Sequence, residues 1–117
     1  MTHIINGKEI AQNLRNSLKK EISELKNKFR NVPGLAVVQV GNIAASSVYV
    51  KAKTKNAHEV GIEVIDHHLE ESISEEELLK LINTLNNQDN VHGILVQLPL
   101  PNHIHEQTIL DSIHPDK

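Results

Sequence analysis

Short strand-like segments alternate with long amphipathic segments along this chain, and that alternation constrains its fold more than any other feature. The strand candidates occupy residues 35–40, 62–68 and 93–97. Strands that alternate with helices of ten or more residues are typical of βαβ units, in which right-handed crossovers place helices on both faces of a parallel sheet. We therefore predict an α/β fold: a single open three-layer αβα domain with a mainly parallel sheet.

Four segments carry the signals of helices. They are residues 8–29, a segment from Ser46 or Ser47 to about residue 60, a segment that follows Ser74, and residues 106–113. The first repeats apolar residues every three or four positions, and Ser74 followed by three glutamates has the spacing of a capping box. The runs at 35–40 and 93–97 are almost continuously apolar, which predicts strands buried on both faces.

Composition excludes several classes of function. The chain has twelve basic and fifteen acidic residues, a net charge of -3. This charge favours neither nucleic acid nor an anionic membrane as a partner. The chain has no cysteine, which excludes a thiolate nucleophile and a zinc–thiolate site. Its first residues lack the pattern of a signal peptide, and no window has eighteen consecutive apolar residues. We therefore expect a soluble cytoplasmic protein with no membrane partner.

Histidine is frequent, with eight residues, but its spacing does not predict a metal site. His67 and His68 are adjacent and would point to opposite faces of a strand. His103 and His105 form the better pair, yet they lie in a proline-rich segment with only Glu106 close by. A closed metal site needs more ligands than this pair supplies, so we predict no metal.

The edge of the predicted sheet locates a candidate site. Ligands of open parallel sheets bind beyond the carboxyl ends of the strands, where this chain has the loop after residue 40 and the segment 97–99. Tyr49 and Lys53 lie four residues apart on the helix that follows the first strand, so they share a face. A phenol beside an amine is a candidate proton-transfer pair, provided that bound substrate desolvates Lys53 enough to disfavour its charged form.

The same spacing has a structural interpretation. Tyr49 can be a core or boundary aromatic and Lys53 a solvated surface charge, and spacing alone favours this alternative. Gln97 ends the third strand candidate. Its amide could orient Lys53 or a polar heterocycle in a site, or it could instead satisfy backbone groups at the strand end, and the residues favour neither role. Ser46 fits a helix cap better than a catalytic group.

The five glycines argue against a dinucleotide site in this chain. They are isolated from one another, so neither G-x-G-x-x-G nor a P-loop occurs. A strand-to-helix turn without that cradle binds pyrophosphate poorly, and we expect no nicotinamide cofactor to be bound tightly by these residues.

Two longer motifs resemble those of a known family. Residues 40–53 read VGNIAASSVYVKAK, and residues 93–101 read GILVQLPLP. They resemble the two signatures of the bifunctional methylenetetrahydrofolate dehydrogenase/methenyltetrahydrofolate cyclohydrolases, V-G-x-x-x-A-S-x-x-Y-x-x-x-K and G-I-L-V-Q-L-P-L-P. Residues 5–11 and 113–117 also fit the family, so the resemblance covers the whole chain in register.

The resemblance implies an activity and roles for individual residues. The family oxidises 5,10-methylenetetrahydrofolate to 5,10-methenyltetrahydrofolate with NADP or NAD, and hydrolyses the product to 10-formyltetrahydrofolate. Lys53 matches the acid/base lysine, Tyr49 the tyrosine that contacts the folate ring, and Gln97 the glutamine that tunes the lysine. The implied substrate-binding residues are Ser46, Tyr49, Gln97, Leu98 and Pro99.

The resemblance also implies a domain organisation. Residues 1–117 match the folate-binding catalytic domain, whereas family members continue into a D-V-D-G motif with a pterin-binding aspartate and into a Rossmann domain that binds NADP or NAD. We expect these parts, and a returning C-terminal helix, to be missing here, so that the chain exposes an apolar patch; the complete enzyme is expected to be a homodimer. The alternative is a folate-binding or interaction module without catalysis, against which the intact Tyr49, Lys53 and Gln97 argue.

Overall fold

The described chain alternates helices and strands in the predicted order. A computed structural model describes residues 3–42 and 44–117, and for residues 44–46 it describes the backbone only. The elements are α1 (Gly7–Phe29), β1 (Gly34–Val40), α2 (Ala44–Val60), β2 (Glu63–Leu69), α3 (Glu75–Asn86), β3 (Gly93–Val96) and α4 (Glu106–Ser112). The strands pair in parallel in the order β2-β1-β3. The predicted α/β fold with a parallel sheet is confirmed.

Strand β1 lies at the centre of the sheet and is buried on both faces. Because side chains alternate along a strand, Ala36, Val38 and Val40 face one side, where they join the hydrophobic core formed with α3, α4 and the segments around β3. Val37 and Gln39 face the other side, where they lie beside residues of α2. The sheet is thus the middle layer of three, with α2 and the adjoining α1 on one face.

Strand β3 is less buried than its apolar sequence predicts. Only Val96 is buried, and the other three residues are half-buried. The reason is that β3 lies at an edge of the described sheet, where a strand has a neighbour on one side only. The strand also ends one residue earlier than predicted, although the Gln97 backbone N–H still donates to the Val38 carbonyl at 2.9 Å.

The start of α2 corrects the predicted helix cap. The helix begins at Ala44, so Ser46 and Ser47 lie inside it and neither is its N-cap. The segment between β1 and α2 is shorter than expected, and within it Gly41 adopts a φ of 79°, a conformation that favours glycine. The other predicted cap is confirmed, since the Glu77 N–H donates to Ser74 Oγ at 3.1 Å.

Helix α1 keeps most of its apolar face exposed. Ile22 is its buried residue, and the exposed apolar side chains, which we call the α1 stripe, are Ile10, Leu14, Leu18, Leu25 and Phe29. The structure therefore shows an exposed apolar patch of the expected kind. Within residues 3–42 and 44–117, no helix combines the length and apolar character needed to cross a membrane.

Candidate functional site

The candidate site lies where two parallel strands end. β1 ends at Val40 and β3 at Val96, and α2 begins only four residues after β1. Parallel strands bring their carboxyl ends to one edge of the sheet. That edge therefore brings the first turns of α2 together with the segment that starts at Gln97.

A hydrogen bond joins Lys53 and Gln97 across this edge. Lys53 Nζ donates to Gln97 Oε1 at 3.0 Å, although the residues are 44 positions apart in sequence. Gln97 is buried, and its Nε2 donates to the Leu98 carbonyl at 3.0 Å. A carbonyl can only accept, so it holds the amide nitrogen and leaves Oε1 for the lysine. Gln97 thus contacts both Lys53 and a backbone carbonyl at the strand end, which is compatible with either of the two roles considered for it.

Tyr49 lies one helical turn before Lys53 and is 59% exposed. This exposure excludes a core aromatic and leaves its ring accessible to a ligand. Lys53 is also exposed apart from its hydrogen bond to Gln97. An ammonium group has three N–H donors, so two remain for other partners. A flat ligand over this face of α2 would contact the tyrosine and remove water from the lysine.

The remaining predicted residues are Leu98, Pro99 and Ser46. Leu98 and Pro99 follow Gln97, are exposed, and are joined by a cis peptide bond. Ser46 lies outside the residues whose side chains the structure describes. The structure thus brings Lys53 and Gln97 into contact, and Leu98 and Pro99 directly follow Gln97 in the chain.

The sequence analysis missed Gln39. This residue lies in β1, is only 7% exposed, and donates from Nε2 to Ser47 Oγ at 3.1 Å. The signal in the sequence was a single amide inside the apolar run 35–40. A search for continuous apolar runs does not detect it, because one polar residue leaves the run recognisable. A second missed contact is that of His68, whose Nε2 donates to the Gly41 carbonyl at 2.9 Å and ties the end of β2 to the loop after β1.

The loop after β1 does not suit a dinucleotide phosphate. Gly41 is its only glycine, and a Cβ added there would lie 3.6 Å from the Glu71 side chain. Glu70 and Glu71 line the adjoining cleft of about 470 Å³. Their negative charges would oppose a pyrophosphate, which binds at glycine-rich turns that present backbone N–H groups. This turn therefore lacks the features that bind the pyrophosphate of NADP or NAD.

The histidines of the predicted pair have structural contacts. His103 Nε2 donates to the Ile73 carbonyl at 2.7 Å, and His105 Nδ1 accepts from the Thr108 N–H at the start of α4. Among the residues that the structure describes, no three histidine, aspartate or glutamate side chains are grouped to hold a metal ion.

The fold is that of an α/β domain, and its candidate small-molecule site is the lysine–glutamine pair at the carboxyl edge of the sheet, beside an exposed tyrosine. Comparison with protein families narrows the class further, because residues 5–117 match tetrahydrofolate dehydrogenase/cyclohydrolase, catalytic domain. The chain belongs to this family.

Individual relatives agree with that assignment. The bifunctional protein FolD of Magnetococcus marinus is 50% identical to this chain over its whole length, and the match covers 41% of that relative. The bifunctional protein FolD of Ruminiclostridium cellulolyticum is 52% identical over 97% of this chain, and the match covers 40% of that relative. The chain thus spans about two fifths of the length of these curated relatives.

Solved structures show the same fold. The bifunctional FolD enzyme of Campylobacter jejuni superposes with a TM-score of 0.92 at 49% identity, over 95% of this chain and 39% of that chain. The Trypanosoma brucei enzyme, solved with an NADP cofactor and an inhibitor, gives 0.91 at 30% identity, over 97% of this chain and 39% of its own.

Proposed function

We propose that residues 1–117 form the folate-binding catalytic domain of a methylenetetrahydrofolate dehydrogenase/methenyltetrahydrofolate cyclohydrolase. The observation that carries the proposal is the 3.0 Å hydrogen bond from Lys53 Nζ to Gln97 Oε1 beside the exposed Tyr49. Family membership supports folate as the substrate class. The resemblance further supports a cytoplasmic enzyme that is a homodimer when complete.

Lys53 serves as the acid/base group of the hydrolysis. Attack of water on the methenyl carbon forms a C–O bond and releases one proton, which a neutral Lys53 Nζ accepts. The bond from that carbon to N5 then breaks as the second proton of the water is transferred to N5, which leaves the formyl group on N10. The positive charge of the methenyl substrate and the loss of water beneath it both disfavour the charged lysine.

Gln97 orients this amine. Its amide is held at the other end by the Leu98 carbonyl, so Oε1 is a fixed acceptor for the lysine. Tyr49 supplies a ring surface for the substrate, and the exposed Leu98 and Pro99 extend it. We include Ser46 in the site on the resemblance alone.

We predict that Lys53→Met lowers the rate of methenyltetrahydrofolate hydrolysis by about 10²–10⁴-fold, because the variant lacks the proton acceptor. The measurement is the decay of methenyl absorbance with the purified 117-residue chain, corrected for spontaneous hydrolysis. Lys51→Met is the matched control, since it removes an exposed lysine from the same helix. Hydrolysis retained in Lys53→Met would refute the assignment of the lysine.

The alternative is a folate-binding module without catalysis, and the exposure of Lys53 is the observation that favours it. Calorimetry with a folate ligand separates the two functions. A module binds the ligand but leaves hydrolysis at the spontaneous rate in both the natural chain and Lys53→Ala. An enzyme binds the ligand and accelerates its hydrolysis.

We expect NADP or NAD, the hydride acceptor of the dehydrogenase reaction, not to be bound tightly at the turn after β1, because Glu70 and Glu71, which follow β2, line the cleft beside that turn. We expect the purified 117-residue chain to show no NADP-dependent oxidation of methylenetetrahydrofolate. A measurable rate of NADPH formation, absent from a blank without protein, would contradict this expectation.

A further inference from the structure

The described core contains two buried polar side chains, and both bond to the same helix. They are Gln39 of β1 and Gln97 after β3. Gln39 donates to Ser47 Oγ at 3.1 Å, and Gln97 accepts from Lys53 Nζ at 3.0 Å. Buried amides need partners because an unsatisfied one is costly, so each amide holds a defined point of α2 against the sheet.

The two points lie six residues apart on α2, about 9 Å along the helix axis. They also lie on different sides of the helix, about 120° apart at 100° per residue. One hydrogen bond leaves a helix free to rotate or tilt about the contact, whereas two separated contacts remove that freedom. Ser47 has a short side chain, so its bond fixes the backbone more closely than the long side chain of Lys53 can.

Among residues 47–60 of α2, fully buried side chains lie near the carboxyl end, at Ala57 and Val60. Val48 and Tyr49 are exposed, and Val50 and Thr54 are half-buried. Residues 47–54, which include Tyr49 and Lys53, therefore contact the sheet through two side-chain hydrogen bonds and half-buried side chains, without a fully buried apolar residue.

We propose that Gln39 and Ser47 are positioning residues for Lys53. Their hydrogen bond holds the first turns of α2 at a set distance and rotation, so that Lys53 Nζ meets Gln97 Oε1 and Tyr49 stays on the ligand side. The catalytic consequence rests on the proposed folate function, whereas the effect on the Lys53–Gln97 contact does not.

The test uses the 15N-labelled chain and follows the side-chain NH₂ signals of Gln97, assigned with a Gln97→Leu variant. Ser47→Ala is expected to displace these signals and to lower the turnover of methenyltetrahydrofolate roughly 10- to 100-fold with little change in KM, as misplacement of a reacting group does. Ser47→Thr, which keeps the hydroxyl, should restore both.

A second variant guards against an effect peculiar to the serine. Gln39→Met should move the same signals, and the Gln39→Met/Ser47→Ala double variant should lose no more activity than the worse single variant, because both remove one interaction. Thr84→Ala is the control, since it deletes a hydroxyl that bonds to the Lys80 carbonyl on the exposed side of α3, and it should change neither readout.

Unmoved Gln97 signals in both Ser47→Ala and Gln39→Met would overturn the proposal. The same holds for displaced signals that Ser47→Thr fails to restore. If the natural chain neither binds nor hydrolyses the folate, the proposed function fails, but the NMR readout still decides whether Gln39 and Ser47 position the lysine.

Discussion

The ring of Tyr49 is largely exposed and lies one turn before Lys53 on the same helix. Either the ring or the hydroxyl could serve the proposed site, and two substitutions separate these roles. Tyr49→Phe keeps the ring surface and removes only the hydroxyl, whereas Tyr49→Ala removes both. The exposure of the ring favours a stacking surface, for which an aromatic face is suited.

We predict that Tyr49→Phe binds a folate ligand nearly as well as the natural chain and that Tyr49→Ala binds it about tenfold more weakly, a loss of about 1.4 kcal/mol. Isothermal calorimetry with the same ligand measures both affinities. Equal losses in the two variants would instead assign the role to the hydroxyl.

Residue spacing indicated Tyr49 and Lys53 as a candidate pair one helical turn apart, but spacing alone favoured a structural interpretation of both. Gln97 was selected from its position at the end of an apolar run, and the roles of the three residues came from the resemblance to the family. Their contact could not be predicted from spacing, because it joins α2 to the segment after β3 across 44 residues. Gln39 escaped detection because a single amide barely changes the apolar pattern of β1.

Helices α1 and α3 have the same kind of amphipathic pattern and very different surroundings. Ile82 of α3 is completely buried in the core, whereas Leu14 of α1 is 60% exposed. Local periodicity cannot distinguish them, since both repeat apolar residues every three or four positions. The difference arises because α3 packs on the sheet and the α1 stripe has no described element over it.

We predict that Ile82→Ala lowers the free energy of unfolding by about 2–5 kcal/mol, because it leaves a cavity in the core. Leu14→Ala, a comparable loss of aliphatic side chain, should cost less than about 1 kcal/mol, as an exposed position loses little buried area. Urea unfolding of both variants gives the comparison. A similar loss in the two would show that the α1 stripe is covered in solution.

The strands show a related limit. The apolar run at 93–97 predicted a strand buried on both faces, but β3 lies at an edge of the described sheet and is half-buried. The run at 35–40 has the same appearance and is buried as predicted, because β1 pairs on both sides. Strand order, which composition does not encode, decides between the two outcomes.

At the scale of the whole molecule, the α1 stripe is an apolar surface of a kind that often marks a contact with another element or chain. We predict that the purified chain binds a hydrophobic fluorescent dye and that the Leu14→Gln/Phe29→Gln double variant binds less of it. Lys20→Gln, a change at another exposed position of α1, is the control. If the chain is a monomer and does not increase the fluorescence of the dye, the exposure of this surface in solution is contradicted.

The amino-acid sequence alone determined the order of helices and strands and the parallel sheet, and it predicted a site at the carboxyl edge of that sheet. These follow from local periodicity and from the handedness of βαβ crossovers, which depend on neighbouring residues and chain chirality. Tertiary structure alone decided which apolar faces are covered, where Lys53 meets Gln97, and that Gln39 reaches Ser47. Those outcomes depend on the packing of elements distant in sequence, because a hydrogen bond forms only where packing brings a donor atom and an acceptor atom within about 3 Å of each other.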